Sequence, residues 1–98
     1  MIVRIAQFAP RAGHEETVLH LLQSHLSFTE RFAGCRRAYL GTPIHGQHVL
    51  VYSEWGDEGD VEGLEAALRS DPQASSDFFS LLGKLAAPPA IARYEVEG

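Results

Sequence analysis

Two side chains carry most of the chemical interest in this chain. The first is Trp55, the lone tryptophan, which ends the run Gln47-His48-Val49-Leu50-Val51-Tyr52-Ser53-Glu54-Trp55. Indole offers a large flat apolar surface and one N–H that needs a partner when buried. An acidic, glycine-rich turn, Gly56-Asp57-Glu58-Gly59-Asp60, follows it and leads into an amphipathic stretch. At such a strand end the ring can wall a pocket between sheet and helix, or it can plug the core. The second is His25, one turn on from Leu21 and Leu22 and beside Leu26, at the edge of an apolar helical stripe. An imidazole with a pKa of about 6.5 can take a substrate proton at neutral pH. The alternative is a histidine that is hydrated or bonded to a carbonyl.

The other reactive types make weaker constellations. His45 and His48 lie three apart, and with His14 and His20 they invite a metal reading. Zinc needs three or four ligands at workable spacing, and none is fixed here, so they read as exposed histidines and no metal is expected. Cys35 stands alone, which rules out an internal disulfide. Arg36 and Arg37 could depress its pKa, although an unreactive half-buried thiol is the simpler reading. Gly56 and Gly59 are separated by acids that repel phosphate, and there is no serine-nucleophile elbow.

Composition limits the partners. A net charge of −5, with Arg36-Arg37 the nearest approach to a basic patch, argues against nucleic acid. No apolar run approaches the ~20 residues of a membrane span, and Met1-Ile2-Val3-Arg4 lacks the pattern of a signal peptide. The expectation is a cytoplasmic protein with no membrane partner. Ninety-eight residues with no shift in composition make one domain, 1–98.

The elements that must position these residues follow from periodicity. Residues 2–8 alternate, and Pro10 to Gly13 turn the chain. From His14 to Phe32 the stripe Val18, Leu21, Leu22, Leu26 and Phe32 predicts a helix, with Glu15 and Glu16 at the positive end of its dipole and Gly34, tolerant of positive φ, ending it. Residues 36–41 and 47–55 read as strands. Val61, Leu64 and Leu68 mark a second helix, which restarts at Asp71-Pro72 with Asp71 as cap and proline at the first position. Phe78, Leu81, Leu82 and Leu85 continue its stripe until Pro88-Pro89, and 91–96 is the last strand.

Strand, helix, strand, strand, helix, strand predicts an α+β, ferredoxin-like βαββαβ sandwich with both helical regions on one sheet face. The other face should be polar if it meets water, yet β-alternation leaves apolar residues on both sides. Val3 and Ile5 oppose Ile2, Ala6 and Phe8; Val49, Val51 and Trp55 oppose Leu50 and Tyr52. Arg4 and Glu54 have the parity to pair on the open face with Tyr52. A bare four-stranded face covers roughly 350 Å², and an apolar patch of that size marks an interface. Two such faces packed together predict a homodimer.

With these elements in place, the chain resembles the antibiotic-biosynthesis monooxygenase family of dimeric α+β barrels. The carriers are Pro10-Arg11-Ala12-Gly13 before Glu15 and Glu16, the exit Phe32-Ala33-Gly34-Cys35, and Val51-Tyr52-Ser53-Glu54-Trp55 before its acidic turn. Ser70-Asp71-Pro72 and Tyr94-Glu95-Val96 complete the set. The resemblance implies a small aromatic ligand held between helices and sheet. It also implies, for the family's cofactor-free oxygenases, a quinol- or anthrone-like substrate whose anion reduces O₂ without flavin or metal. Trp55 matches the family's strand-end tryptophan. By comparison with a haem-degrading branch, the strand-one slot falls near Gln7 and the last-helix histidine slot at Asp77. A carboxylate ligates haem iron poorly, so no cofactor is expected. The candidate site is therefore His25, Trp55 and Asp77 as catalytic residues, with Gln7, Ser53, Trp55 and Phe78 around the substrate. The alternative is a non-catalytic barrel that holds a small ligand or regulates.

Overall fold

The structure is a computed structural model that describes residues 1–97. Its elements run β1 (Ile2–Phe8), α1 (Glu15–Glu30), β2 (Cys35–Gly41), β3 (Val49–Trp55), α2 (Glu58–Ser70), α3 (Pro72–Leu82) and β4 (Ala90–Glu95). All neighbouring strands pair antiparallel, in the order β2-β3-β1-β4. This is the α+β ferredoxin-like topology that the sequence predicts, with the second helical region in two pieces.

Local chemistry sets the breaks. Asp71 accepts hydrogen bonds from the amides of Gln73 (3.1 Å) and Ala74 (2.9 Å), while Pro72 opens α3 without an amide to satisfy. Asp57 does the same for Asp60 at the start of α2 (3.1 Å). Helix α1 has no side-chain cap on its N-cap residue; the Glu15 carboxylate instead reaches back to the Gly13 amide. Gly34 turns the chain into β2 with φ of +94°, and a Cβ there would overlap the Asp60 carboxylate. Helix α3 stops at Leu82, short of Pro88-Pro89, because Gly83 already closes its last turn. Leu85 still reaches the core from the following turn, whereas Leu82 is exposed.

Register decides which side chains meet the helices. Ile2 pairs with Trp55, Arg4 with Ser53, Ala6 with Val51 and Phe8 with Val49, so these eight share the helix-facing side. Two apolar clusters fill that interface. Ala6, Phe8, Val18, Leu22, Val49, Val51, Leu81 and Leu85 make one, while Trp55, Val61, Leu64 and Leu68 make the other.

The expected pairing of Arg4 with Glu54 is not found. Arg4 is buried under α2, where its Nε donates to Glu65 (3.1 Å), and Glu54 accepts from the Tyr52 hydroxyl (2.7 Å) on the opposite side. Strand β1 is apolar on both faces, so alternation alone does not say which face meets the helices; pairing with β3 does. The open face carries Val3, Ile5, Leu50 and Ala92 with Tyr39, Tyr52 and Tyr94. The Tyr39 and Tyr52 rings stack there at 6.1 Å between centroids.

Candidate functional site

Trp55 is completely buried, and its indole N–H donates to the Ser53 hydroxyl at 2.8 Å. Ser53 is equally buried and sits within 3.5 Å of the Arg4 carbonyl. The far edge of the indole meets Phe32 in a T-shaped contact at 6.4 Å. Strand geometry explains the pairing, since residues two apart on a strand share a face and a short hydroxyl fits beside an indole N–H. Trp55 thus faces the helices, as its parity predicts, with its one polar atom already satisfied. It packs behind the cavity and does not line it.

The cavity itself opens between α1 and α3, with a volume of about 440 Å³. Leu21, His25 and Phe28 come from α1; Asp77, Phe78 and Leu81 come from α3. His25 projects between two aromatic rings, edge-on to Phe8 at 6.2 Å and tilted against Phe78 at 6.0 Å. Its Nε2 is buried and meets no hydrogen-bond partner among the described residues. Burial lowers the His25 pKa to about 4, and the charge of nearby Arg4 adds to the shift. At neutral pH the ring is therefore uncharged, and its lone pair can receive a proton or a hydrogen bond.

The structure brings His25, Asp77 and Phe78 together around one hollow. Asp77 is half-buried and accepts a hydrogen bond from the Gln73 side chain (2.9 Å), one helical turn earlier. Trp55 lies in the adjoining core cluster that includes Leu68 and packs against Phe28, both wall residues of the same hollow, and Ser53 is tied to it through the indole N–H. Gln7 does not join them. It pairs with Leu50 and Ala90 and is exposed on the open sheet face, because Ala6 and Phe8 on either side point to the helices.

Sequence reading missed Arg4 as a site residue. It is 1% exposed, and its Nη1 joins His25 Nε2 as the two buried side-chain polar atoms without a partner among the described residues. One arginine inside Ile2-Val3-Arg4-Ile5-Ala6 was the available signal, since a charge is almost never fully buried unless paired. Cys35 is half-buried, donates to the Arg37 carbonyl (3.5 Å), and has its pKa raised by burial, so its arginine neighbours do not activate it. His14, His20, His45 and His48 are exposed, and no three metal-ligating side chains converge among the described residues. No helix among them is long and apolar enough to cross a membrane.

Known proteins support the same frame. Among solved structures, Rv0793 from Mycobacterium tuberculosis superposes with a TM-score of 0.84 at 18% identity, covering 99% of this chain and 95% of that one. A conserved protein from Methanosarcina mazei Go1 gives 0.83 at 21% identity, with 98% and 92% covered. A variant of SnoaB, a cofactor-independent oxygenase from Streptomyces nogalater, gives 0.80 at 12% identity, with 99% and 93% covered. At these identities the likeness is one of fold. Among curated protein sequences none matches. The sequence profile of the family described as antibiotic biosynthesis monooxygenase matches residues 1–74, three quarters of the chain, and on that match the protein belongs to the antibiotic biosynthesis monooxygenase family.

Proposed function

We propose that the protein is a cofactor-independent monooxygenase acting on a small aromatic, quinol- or anthrone-like compound held in the cavity between α1 and α3. The observation that carries this reading is the unpartnered Nε2 of His25, buried between Phe8 and Phe78 at the wall of a hollow large enough for a fused-ring ligand. In this reaction His25 takes the proton of an acidic ring position. The anion then supplies electrons to O₂; for a methylene centre, one oxygen atom becomes the ring carbonyl and the other leaves as water with the two methylene hydrogens. The protein's part is to exclude water, hold the ring and accept the proton.

Oxygen uptake with a panel of anthrones and hydroquinones, with metals chelated, tests this. Turnover should appear on at least one substrate, and His25→Gln should lower it about 100-fold with little change in binding. Uptake with none of them would overturn the enzyme reading. The depressed pKa of His25 favours that second reading, a barrel that only holds an aromatic ligand, because a base titrating near 4 binds protons weakly at neutral pH.

The same proposal includes a homodimer built on the open sheet face, where Tyr39 and Tyr94 are each about half exposed, at 54% and 51%, beside Ile5 and Leu50. Sedimentation should give a mass near twice 10.8 kDa. A well-folded monomer at micromolar concentration would overturn it.

A further inference from the structure

Beyond Phe78 lies a second hollow, of about 530 Å³, between the sheet and the helical layer. It shares Leu68 and Phe78 with the His25 cavity, so the Phe78 side chain stands where the two meet. Its character differs from the first. Arg4, Arg69 and Arg93 line it with Glu65 as the one acid, in a chain whose net charge is −5. Arg93 is occupied, bonded to Glu65 and to Glu58 (3.2 Å) with Glu62 at 3.9 Å. Glu65 is also occupied. Burial alone would raise its pKa, but hydrogen bonds from Arg93 and Arg4 outweigh that and hold it below the usual carboxylate range. Arg4 is different. Its Nε donates to Glu65, while its Nη1 is buried with no acceptor among the described residues.

We infer that Arg4 Nη1 is the anion-binding donor of a two-chambered site, and that the ligand is an aromatic compound bearing an acidic oxygen, either a carboxylate or an ionised phenol. A guanidinium is permanently charged, and a buried donor without a partner costs free energy that an oxyanion ligand repays with a charge-assisted hydrogen bond. The flat ring lies against Phe78 and the oxyanion reaches Arg4 on its far side. This assignment rests on the cavity reading above and specifies which ligands it admits. Arg4 is thereby a specificity-determining residue that also stabilises negative charge beside His25.

Three probes of equal ring size separate the possibilities by calorimetric titration of the intact protein. They are 2-naphthoate, 2,4-dinitro-1-naphthol (ionised at neutral pH), and the neutral methyl 2-naphthoate. At least one anion should bind roughly 10-fold or more tightly than the ester, as expected for one charge-assisted bond. The two anions report separately on a carboxylate and a phenolate. Arg4→Met should erase that preference by weakening the anions far more than the ester, while Arg4→Lys should keep part of it. Should Arg4→Met fail to fold, the guanidinium NMR signal of Arg4 in the unmodified protein decides: it should shift with the anion and not with the ester. Equal binding of all three probes, or a preference that survives Arg4→Met, overturns the role of Arg4 and leaves the aromatic cavity standing. Binding of none overturns both.

Discussion

The two halves of the helix–sheet interface are built from similar residues and end in opposite states. At one end, Trp55, Val61, Leu64 and Leu68 close on Phe28 and Phe32, and the single indole donor is spent on Ser53. At the other, Phe8, His25 and Arg4 are buried beside a half-buried Phe78, yet two of their polar atoms have no partner among the described residues, and two hollows remain, one between α1 and α3 and one between the sheet and the helical layer. Native interiors satisfy nearly all buried polar groups, so exceptions point to a role other than packing. The contrast separates a residue that looks functional by type, Trp55, from residues that are functional candidates by circumstance, His25 and Arg4.

The largest effect should come from emptying the closed end. Trp55→Ala removes a fully buried indole and the hydrogen bond that the Ser53 hydroxyl accepts, and should cost about 3–5 kcal/mol of unfolding free energy by urea denaturation. Phe78→Ala, at a half-buried ring beside existing hollows, should cost only about 1–2 kcal/mol, because much of its surface already lacks packing partners. Equal losses would mean that the two ends are equally packed and that the distinction between them is false.

A pH titration probes the open end directly. The unfolded chain protonates His25 near its ordinary 6.5, whereas the native state resists protonation until about 4. Between those values the unfolded state binds more protons, so stability falls as pH falls. The His25 contribution to that loss should reach about 3 kcal/mol at pH 4. His25→Gln, which does not titrate, should show a shallower decline between pH 6.5 and 4, with only the carboxylate contribution left. A wild-type curve that matches the variant's would show that the imidazole is solvated and the open end is not sealed from water.

What the sequence made legible follows the strength of each local signal. Element order, the Asp71-Pro72 restart and the inward side of β3 were readable, because periodicity and capping chemistry act over a few residues. The face of β1 was not. With Ile2, Val3, Ile5 and Ala6 apolar on both sides, nothing local distinguishes Arg4 turned inward from Arg4 turned outward, and strand pairing across about fifty residues decides it. Gln7 fell from the candidate site and Arg4 entered it for this one reason. His25 was legible as an oddity of the α1 stripe; that its Nε2 lacks a partner depends on where α3 docks.

The smallest effect concerns the hinge between the two ends. Asp71 caps α3 through two amide hydrogen bonds and also lines the His25 cavity, while the last turn of α2 on its other side carries Leu68 of the closed cluster. Asp71→Ala should cost about 1 kcal/mol, the usual value of a helix cap. That loss should not spread evenly. The α3 segment that presents Asp77 and Phe78 to the cavity has Leu81 as its one buried residue, so its amides should exchange faster with solvent at once. Amides of β3 around Ser53 and Trp55, held between β1 and β2, should speed up only as far as the loss of global stability dictates. Hydrogen exchange resolved by residue makes this visible, and an aromatic probe added to the variant should restore protection to α3 first. Identical acceleration in α3 and β3 would show that the wall of the cavity opens only when the whole domain does. The candidate site would then be as rigid as the tryptophan core behind it.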